Sequence, residues 1–382
     1  MDVCAICHAA LGDPVYVSPG QRSLTSMGET VSGHTVVYRC LRCGHLQTPP
    51  FEDIDDYYAH SYTMLLDSEE EDQLYAVVDG QPVYRADHQV ATLLAKTQLP
   101  QGARVLDYGA GKGLALARLM RARPDLIPHV YEVSGMYVPF WTRALPDASQ
   151  AVGELDPEWR GNIDLVVSNF VLEHVPRPRE ALDAITAVMA PAALLYFIVP
   201  STYTNASDFI VADHVHHFCE TSLQYLLEDA GYDVVAIDDA AHRGAFVCVA
   251  RRAHAPRTRE PDPERLRQDE AATAAMADMW RDAGVRLREF EQNSAGAVAI
   301  YGSGFYGAFI ASCLHQLDRV TCFVDRNPFR HGKTVLDKPI VGPEALPEEV
   351  ACIYVGLNPK IARKAIEDVD AWRKRGLRYF YL

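Results

Sequence analysis

From residue 86 onward the apolar positions of this chain alternate between two periods. "DHQVATLLAKTQL" spaces them as one face of a helix, and "RVLDYG" compresses them into a run of strand length. "GLALARLMRAR" returns to the helical period, followed by strand-like "IPHVYEVS" and "IDLVVSNF", helical "PREALDAITAVMA" and strand-like "ALLYFIVP". Such alternation predicts a parallel sheet covered by helices. "ETSLQYLLEDAGYDVVAIDD" and "GAFVCVARR" extend it with a helix and the last strands of the same sheet. The charged, proline-bearing stretch "AHAPRTREPDPERLRQDE" (253–270) breaks the pattern, and "AMADMWRDAGVRLREFEQN" then reads as helix. A second alternation opens with "AVAIYGSGFYGAFIASCL". Residues before 86 follow neither period. The patterning therefore predicts an α/β chain in four sections: 1–85, 86–252, a helical linker over 253–293, and 294–382.

Length and composition fit that division. The 382 residues, 48% hydrophobic, fill more than one core. The N-terminal residues have no basic start, and the long apolar run "APAALLYFIVP" (190–200) is too short to cross a bilayer, so a soluble, cytoplasmic protein without a membrane partner is expected. A net charge of -15 repels phosphate backbones and disfavours a nucleic-acid partner, while a local basic pocket could still take a small anion.

The nine cysteines fall into two groups. Cys219, Cys248, Cys313, Cys322 and Cys352 are scattered through apolar contexts and read as small core residues in a reducing compartment. Cys4, Cys7, Cys40 and Cys43 form C-x2-C twice, and two such turns make the sulfur cage that zinc accepts. Gly44, just after the second pair, is free to adopt a tight turn. Four thiolates leave no open position, so the expected zinc is structural. Neither pair lies at a strand-to-helix junction, which argues against redox chemistry.

The loop "LDYGAGKG" joins the first strand of the main alternation to its helix. Asp107, Gly109, Gly111 and Gly113 form D-x-G-x-G-x-G, a spacing different from the G-x-G-x-x-G dinucleotide fingerprint. Its glycines let the backbone approach a ligand, and the acid at the strand end can receive a hydrogen bond from it. Glu132 ends the next strand, where a carboxylate could bridge two ribose hydroxyls. Asn169 ends the strand "IDLVVSN", in the crevice where such sheets bind ligands. In this order, loop, acid and "NFVLEHV" make residues 86–252 resemble a class I S-adenosylmethionine-dependent methyltransferase. The resemblance implies that Asp107, Gly109, Gly111 and Glu132, with Asn169 at the crevice, contact that cofactor.

"VPSTYTNASDFIVADHVHHFCETSL" follows the last parallel strand and so lies over the site's mouth. His214, His216 and His217, with Asp213, could bind a metal; one could be a general base steered by a carboxylate; or the rings could be satisfied locally. The whole chain in order resembles the nucleotide-sugar C-methyltransferases. That resemblance implies an α/β fold with a Rossmann-like class I methyltransferase core, a small zinc-binding N-terminal domain and a second Rossmann-like C-terminal domain for substrate or interface. It implies further that His214, next to Asp213, removes the proton beside a ketone, so that the enolate takes the methyl from sulfur. Tyr57, Tyr58 and Tyr62, in "DDYYAHSY", stand where the family brings tyrosines toward substrate, and Tyr62 is the candidate kept from the three. The family's tyrosine two residues before the acid is Val211 here, and its "E-I-G-S-N-D-G" loop is replaced by "DYGAGKG". The expected partner is a small-molecule acceptor, a nucleotide sugar, with O- or N-methylation of a sugar or other metabolite as the alternative.

"AIYGSGFYGAF" does carry G-x-G-x-x-G at Gly302, Gly304 and Gly307, with Asp325 ending the next strand. Alone it would suggest an NAD-dependent sugar-modifying oxidoreductase. The section is only about ninety residues long, short for a complete dinucleotide fold, and the resemblance implies a lobe that holds substrate or shapes an interface.

Overall fold

The computed structural model describes residues 2–18, 22–62, 68, 71–253 and 260–382. Contacts group the chain into two units. Met1–Pro14, Val37–Thr202 and Asp213–Glu270 form the first; Val15–Val36, Tyr203–Ala212 and Ala271–Leu382 form the second. This grouping threads the linear sections, since two short segments of earlier chain fold with the C-terminal residues.

The first unit is built on a seven-stranded sheet. Its strands are β3 (Arg104–Tyr108), β4 (Ile127–Glu132), β5 (Ser149–Val152), β6 (Ile163–Asn169), β7 (Met189–Pro200), β9 (Tyr232–His242) and β10 (Ala245–Arg252), in spatial order β5-β4-β3-β6-β7-β10-β9. The first five run parallel, and β10 is antiparallel to both β7 and β9. Strand alternation sends neighbouring residues to opposite faces. Leu106, Val166, Leu195 and Phe197 pack with Leu182 and Ile185 of α3 (Pro178–Val188) and Leu223 and Leu226 of α4 (Glu220–Asp229). Val105, Leu165, Val167, Tyr196 and Ile198 pack with Leu93 of α1 (Arg85–Lys96) and Leu116 and Leu119 of α2 (Leu114–Ala122). The strand order reverses between β3 and β6, which opens a crevice at their C-terminal ends. A smaller antiparallel pairing joins β1 (Val36–Arg39), β2 (Leu46–Gln47) and β8 (His216–His217).

The long helix α5 (Pro263–Gln292) starts inside the stretch expected to be a break. Asp262 explains the difference: its carboxylate accepts from the Glu264 N–H and its carbonyl from the Leu266 N–H, while Pro263 supplies a preset φ at the first helical position. The second unit is a smaller parallel α/β sheet. Strands β13 (Lys338–Val341), β12 (Val320–Val324), β11 (Ala297–Tyr301), β14 (Val350–Val355) and β15 (Arg378–Tyr381) lie in that order, with α6 (Phe305–Cys313) following β11. The α/β, Rossmann-like class expected for both alternations is thus what the chain folds into. Of the scattered cysteines, four are buried and Cys313 is half-buried. Among the described residues no helix is long and apolar enough to cross a membrane.

Candidate active site

The glycine loop is held from both sides. The Gly109 and Ala110 N–H groups donate to the Tyr131 carbonyl at 2.9 and 3.0 Å, and the Trp141 indole donates to the Gly111 carbonyl at 2.7 Å. Gly109 has φ +75° and no room: a Cβ there would lie 2.4 Å from Cγ2 of Val171. The backbone conformation and the close approach both demand glycine.

Asp107 and Glu132 flank the loop. Asp107 is buried, and burial followed by the charge of Glu132 raises its carboxyl to about 7. Glu132 accepts from the Gly111 N–H through Oε2 and the Val133 N–H through Oε1, both at 2.8 Å. Its carboxyl is raised by burial against these bonds and one from the Ser134 N–H, and about one of its roughly four lone-pair sites remains for a ligand. Asn169 Oδ1 and the Tyr196 hydroxyl are buried with no hydrogen-bond partner. Both residues line, with Gln89 and Asp107, a narrow, mostly apolar crevice that is partly open to solvent. Orphaned polar atoms beside a carboxylate suit a ligand bearing an amino group and hydroxyls. The set therefore fits S-adenosylmethionine. Phe170, next in sequence, has φ +60°, an outlier for a bulky residue and the kind of strain stored at working sites.

His214 and Asp213 are both buried at this end of the unit. The structure adds partners that the sequence reading did not single out. The ring of His174, from the turn after β6, stands edge-on to His214 with centroids 4.7 Å apart. Tyr58 lies 2.6 Å from His174 Nδ1 and donates toward the Asp213 carbonyl at 2.9 Å and its Oδ2 at 3.2 Å. Burial and the charge of Asp213 push the Tyr58 phenol well above its ordinary range, so it stays protonated. Tyr62 places its ring 5.8 Å from that of His174. "LEHV", read only as part of the strand ending, and the doubled tyrosine of "DDYY" were the available signals.

The grouping of His214, His216 and His217 does not form. His216 and His217 are paired in β8 with Gln47 and Leu46, which turns His216 to His45 and His217 to Thr48. Burial lowers His216 to about 3. Instead, ligand atoms of Glu173, His174 and His214 lie within 4.8 Å of one another.

Cys4, Cys7, Cys40 and Cys43 also converge within 4.8 Å, with Sγ separations of 3.6 Å for Cys4–Cys43 and 3.3 Å for Cys7–Cys40. The two turns match. In each, the residue after the second cysteine is left-handed, His8 at φ +56° and Gly44 at +73°, and its N–H donates to the first cysteine's carbonyl at 3.0 Å. Four buried sulfurs on two such turns fit a tetrahedral zinc ion.

In the second unit, the Asp325 carboxylate is engaged by its own loop, accepting from the Ser303 N–H at 2.9 Å and hydroxyl at 2.6 Å. Cβ atoms at Gly302 and Gly307 would meet the carbonyls of Gly356 and Gly302 at 2.2 and 2.0 Å, so these two glycines serve backbone packing.

Comparison with known proteins gives consistent matches. The family described as "Methyltransferase domain" matches residues 80–237. The C-methyltransferase NovU of Streptomyces niveus is 25% identical over 303 residues, 74% of this chain and 72% of that protein. A ubiquinone biosynthesis O-methyltransferase of Xanthomonas axonopodis pv. citri is 33% identical over 102 residues, 25% of this chain and 43% of that protein, so the match spans under half of that relative. A solved SAM-dependent methyltransferase from Aquifex aeolicus is 21% identical, covering 42% of this chain and 88% of that one, at a TM-score of 0.36, too low to bear on function.

Proposed function

We propose that this chain, an S-adenosylmethionine-dependent methyltransferase acting on a small molecule, places the methyl on a carbon beside a ketone of a nucleotide-linked sugar, with His214 as the base. The observation that carries the reading is the enclosure of His214 with His174, Tyr58 and Asp213, in a chain whose likeness to a C-methyltransferase runs through 74% of its length.

Asp107, Glu132, Gly109, Gly111 and Asn169 hold the cofactor, which supplies a methyl on a cationic sulfur that leaves as a neutral thioether. His214 takes the proton from the carbon next to the ketone, and the C–H electron pair passes into the enolate whose carbon receives the methyl. The captured proton leaves His214 for solvent when product departs. Asp213 and Tyr58 orient the histidines, Tyr58 through its contacts to His174 and to Asp213. Tyr62 walls the substrate side. Positioning supplies much of the rate, because nucleophile and methyl must meet in line.

Zinc on Cys4, Cys7, Cys40 and Cys43 is structural. The second unit acts as a Rossmann-like lobe for substrate or interface rather than as an NAD site, a reading supported by the engagement of Asp325 with Ser303. The work is done in the cytoplasm.

The test is exchange in D2O, with the demethylated cofactor in place of the methyl donor and a panel of nucleotide-linked ketosugars. Deuterium uptake beside the ketone, lost in His214→Ala, is expected. Methyl transfer to oxygen, the reading that the ubiquinone relative favours, or to nitrogen would proceed without any uptake and would replace the proposal.

A further inference from the structure

We propose that His216 is a positioning residue for the methyl-transfer site, fixing the Glu173–Val175 turn and thereby the ring of His174 against His214. The geometry rests on three bonds from one residue. The His216 N–H donates to the Glu173 carbonyl at 3.1 Å, its Nε2 lies 3.0 Å from the Val175 carbonyl, and its Nδ1 lies 3.0 Å from Nε2 of His45. The two carbonyls bracket residue 174, so backbone and ring of His216 together hold both ends of the turn from which His174 projects.

The proton positions follow from what each partner can do. A carbonyl only accepts, so His216 Nε2 carries the proton, and its Nδ1 must then accept from His45 Nε2–H. The ring is fully enclosed, and burial disfavours its charged form. His216 is therefore a neutral imidazole in one tautomer, with both nitrogens committed. It has no proton to give to substrate, and its effect on the reaction passes through the turn.

The same residue ties down the other side of the site. His216 pairs with Gln47 and His217 with Leu46, the Thr48 N–H donates to the Val215 carbonyl at 3.1 Å, and Thr48 Oγ1 meets His217 Nε2 at 2.8 Å. These bonds anchor the segment two residues after His214. The edge-on placement of His174 and His214 is thus set by one strand pairing and one side chain, and a shift of about 1 Å between such groups costs on the order of a hundredfold in rate.

The inference rests on the reading of His174 and His214 as the reacting site, and the experiment separates the two. His216→Leu removes the ring donor and keeps an apolar side chain; His216→Gln places an amide N–H where Nε2 was. Turnover, S-adenosylmethionine affinity by calorimetry, and the imidazole tautomers by long-range 1H–15N NMR are measured on the full chain. The expected result is a fall in kcat of about 100-fold in His216→Leu with cofactor affinity changed less than about twofold, and recovery to within about fivefold in His216→Gln. Wild-type His216 should show the Nε2–H tautomer, and the His174 resonances should move in His216→Leu alone.

Wild-type turnover in His216→Leu, equal impairment of both variants, or an Nδ1–H tautomer in the wild type would overturn the inference. If His216→Leu does not fold, the tautomer and the His216→Gln rate still decide it. Failure of the underlying site reading looks different, because His214→Ala would then keep its turnover.

Discussion

Cofactor affinity should carry the titration of Asp107. Without ligand this carboxyl is buried at the end of β3, and burial with the charge of Glu132 raises it to about 7. A cationic amino group binds the ionised form, so below pH 7 binding must first expel a proton. For a group with a free pKa near 7 that is ionised in the complex, the dissociation constant grows as 1 + 10^(7 − pH), about elevenfold at pH 6 and about a hundredfold at pH 5 relative to the alkaline limit. Close to one proton per site should be released at pH 6, and about a tenth at pH 8. Calorimetry in two buffers of different ionisation heat reads both quantities. Asp107→Asn should bind weakly at every pH and lose the slope, which separates Asp107 from Glu132, also raised by burial. The linkage to stability has the opposite sense: unfolded, the group ionises near 3.8, and folded it keeps its proton to about 7. Its contribution to stability is complete below the lower value and disappears as pH rises through the upper one. Affinity that stays flat from pH 6 to 8 with no proton release, or an Asp107→Asn variant with the wild-type slope, would refute the assignment.

His214→Ala should lower turnover by about 10²–10⁴-fold, the usual share of a general base, with calorimetric cofactor affinity nearly unchanged; wild-type rates would remove His214 from the chemistry. Gly109→Ala should destabilise the first unit by about 2 kcal/mol or more in urea unfolding, since a left-handed Cβ costs about 1–2 kcal/mol before its 2.4 Å approach to Val171 is counted. An unchanged midpoint would mean the loop relaxes freely. Cys40→Ser should release the zinc measured by mass spectrometry and lower the melting temperature, while retained metal with unchanged melting would sink the zinc assignment.

How much of this was legible in the sequence depends on the range of the interaction concerned. The strands and helices of both sheets were readable because burial imposes period 2 or 3.6 on adjacent residues, as in "RVLDY" and "LALARLM". The glycine loop and the cysteine pairs were readable for the same reason: each is a local turn whose backbone demands leave residue-type marks. Even so, His8 adopts the left-handed turn expected only of Gly44, and its N–H donates to the first cysteine's carbonyl there as Gly44's does. The Asp262–Pro263 start of α5 was a local signal masked by the charge around it. Tyr58, Glu173 and His174 left only the weak marks "DDYY" and "LEHV", which do not show that the two meet. Tyr58 and Asp213 are separated by 155 positions and meet through the fold, and nothing in the spacing of either predicts the other. His216 makes the limit sharpest. In sequence it is one of three histidines in four positions, equivalent to His214; in the fold, pairing with Gln47 in β8 fixes its register and turns it away from the cluster. A one-residue slip of that pairing would exchange the faces of the neighbouring side chains. The chemistry proposed for His214 is therefore set by a short strand that the periodicity of "ADHVHHF" does not announce.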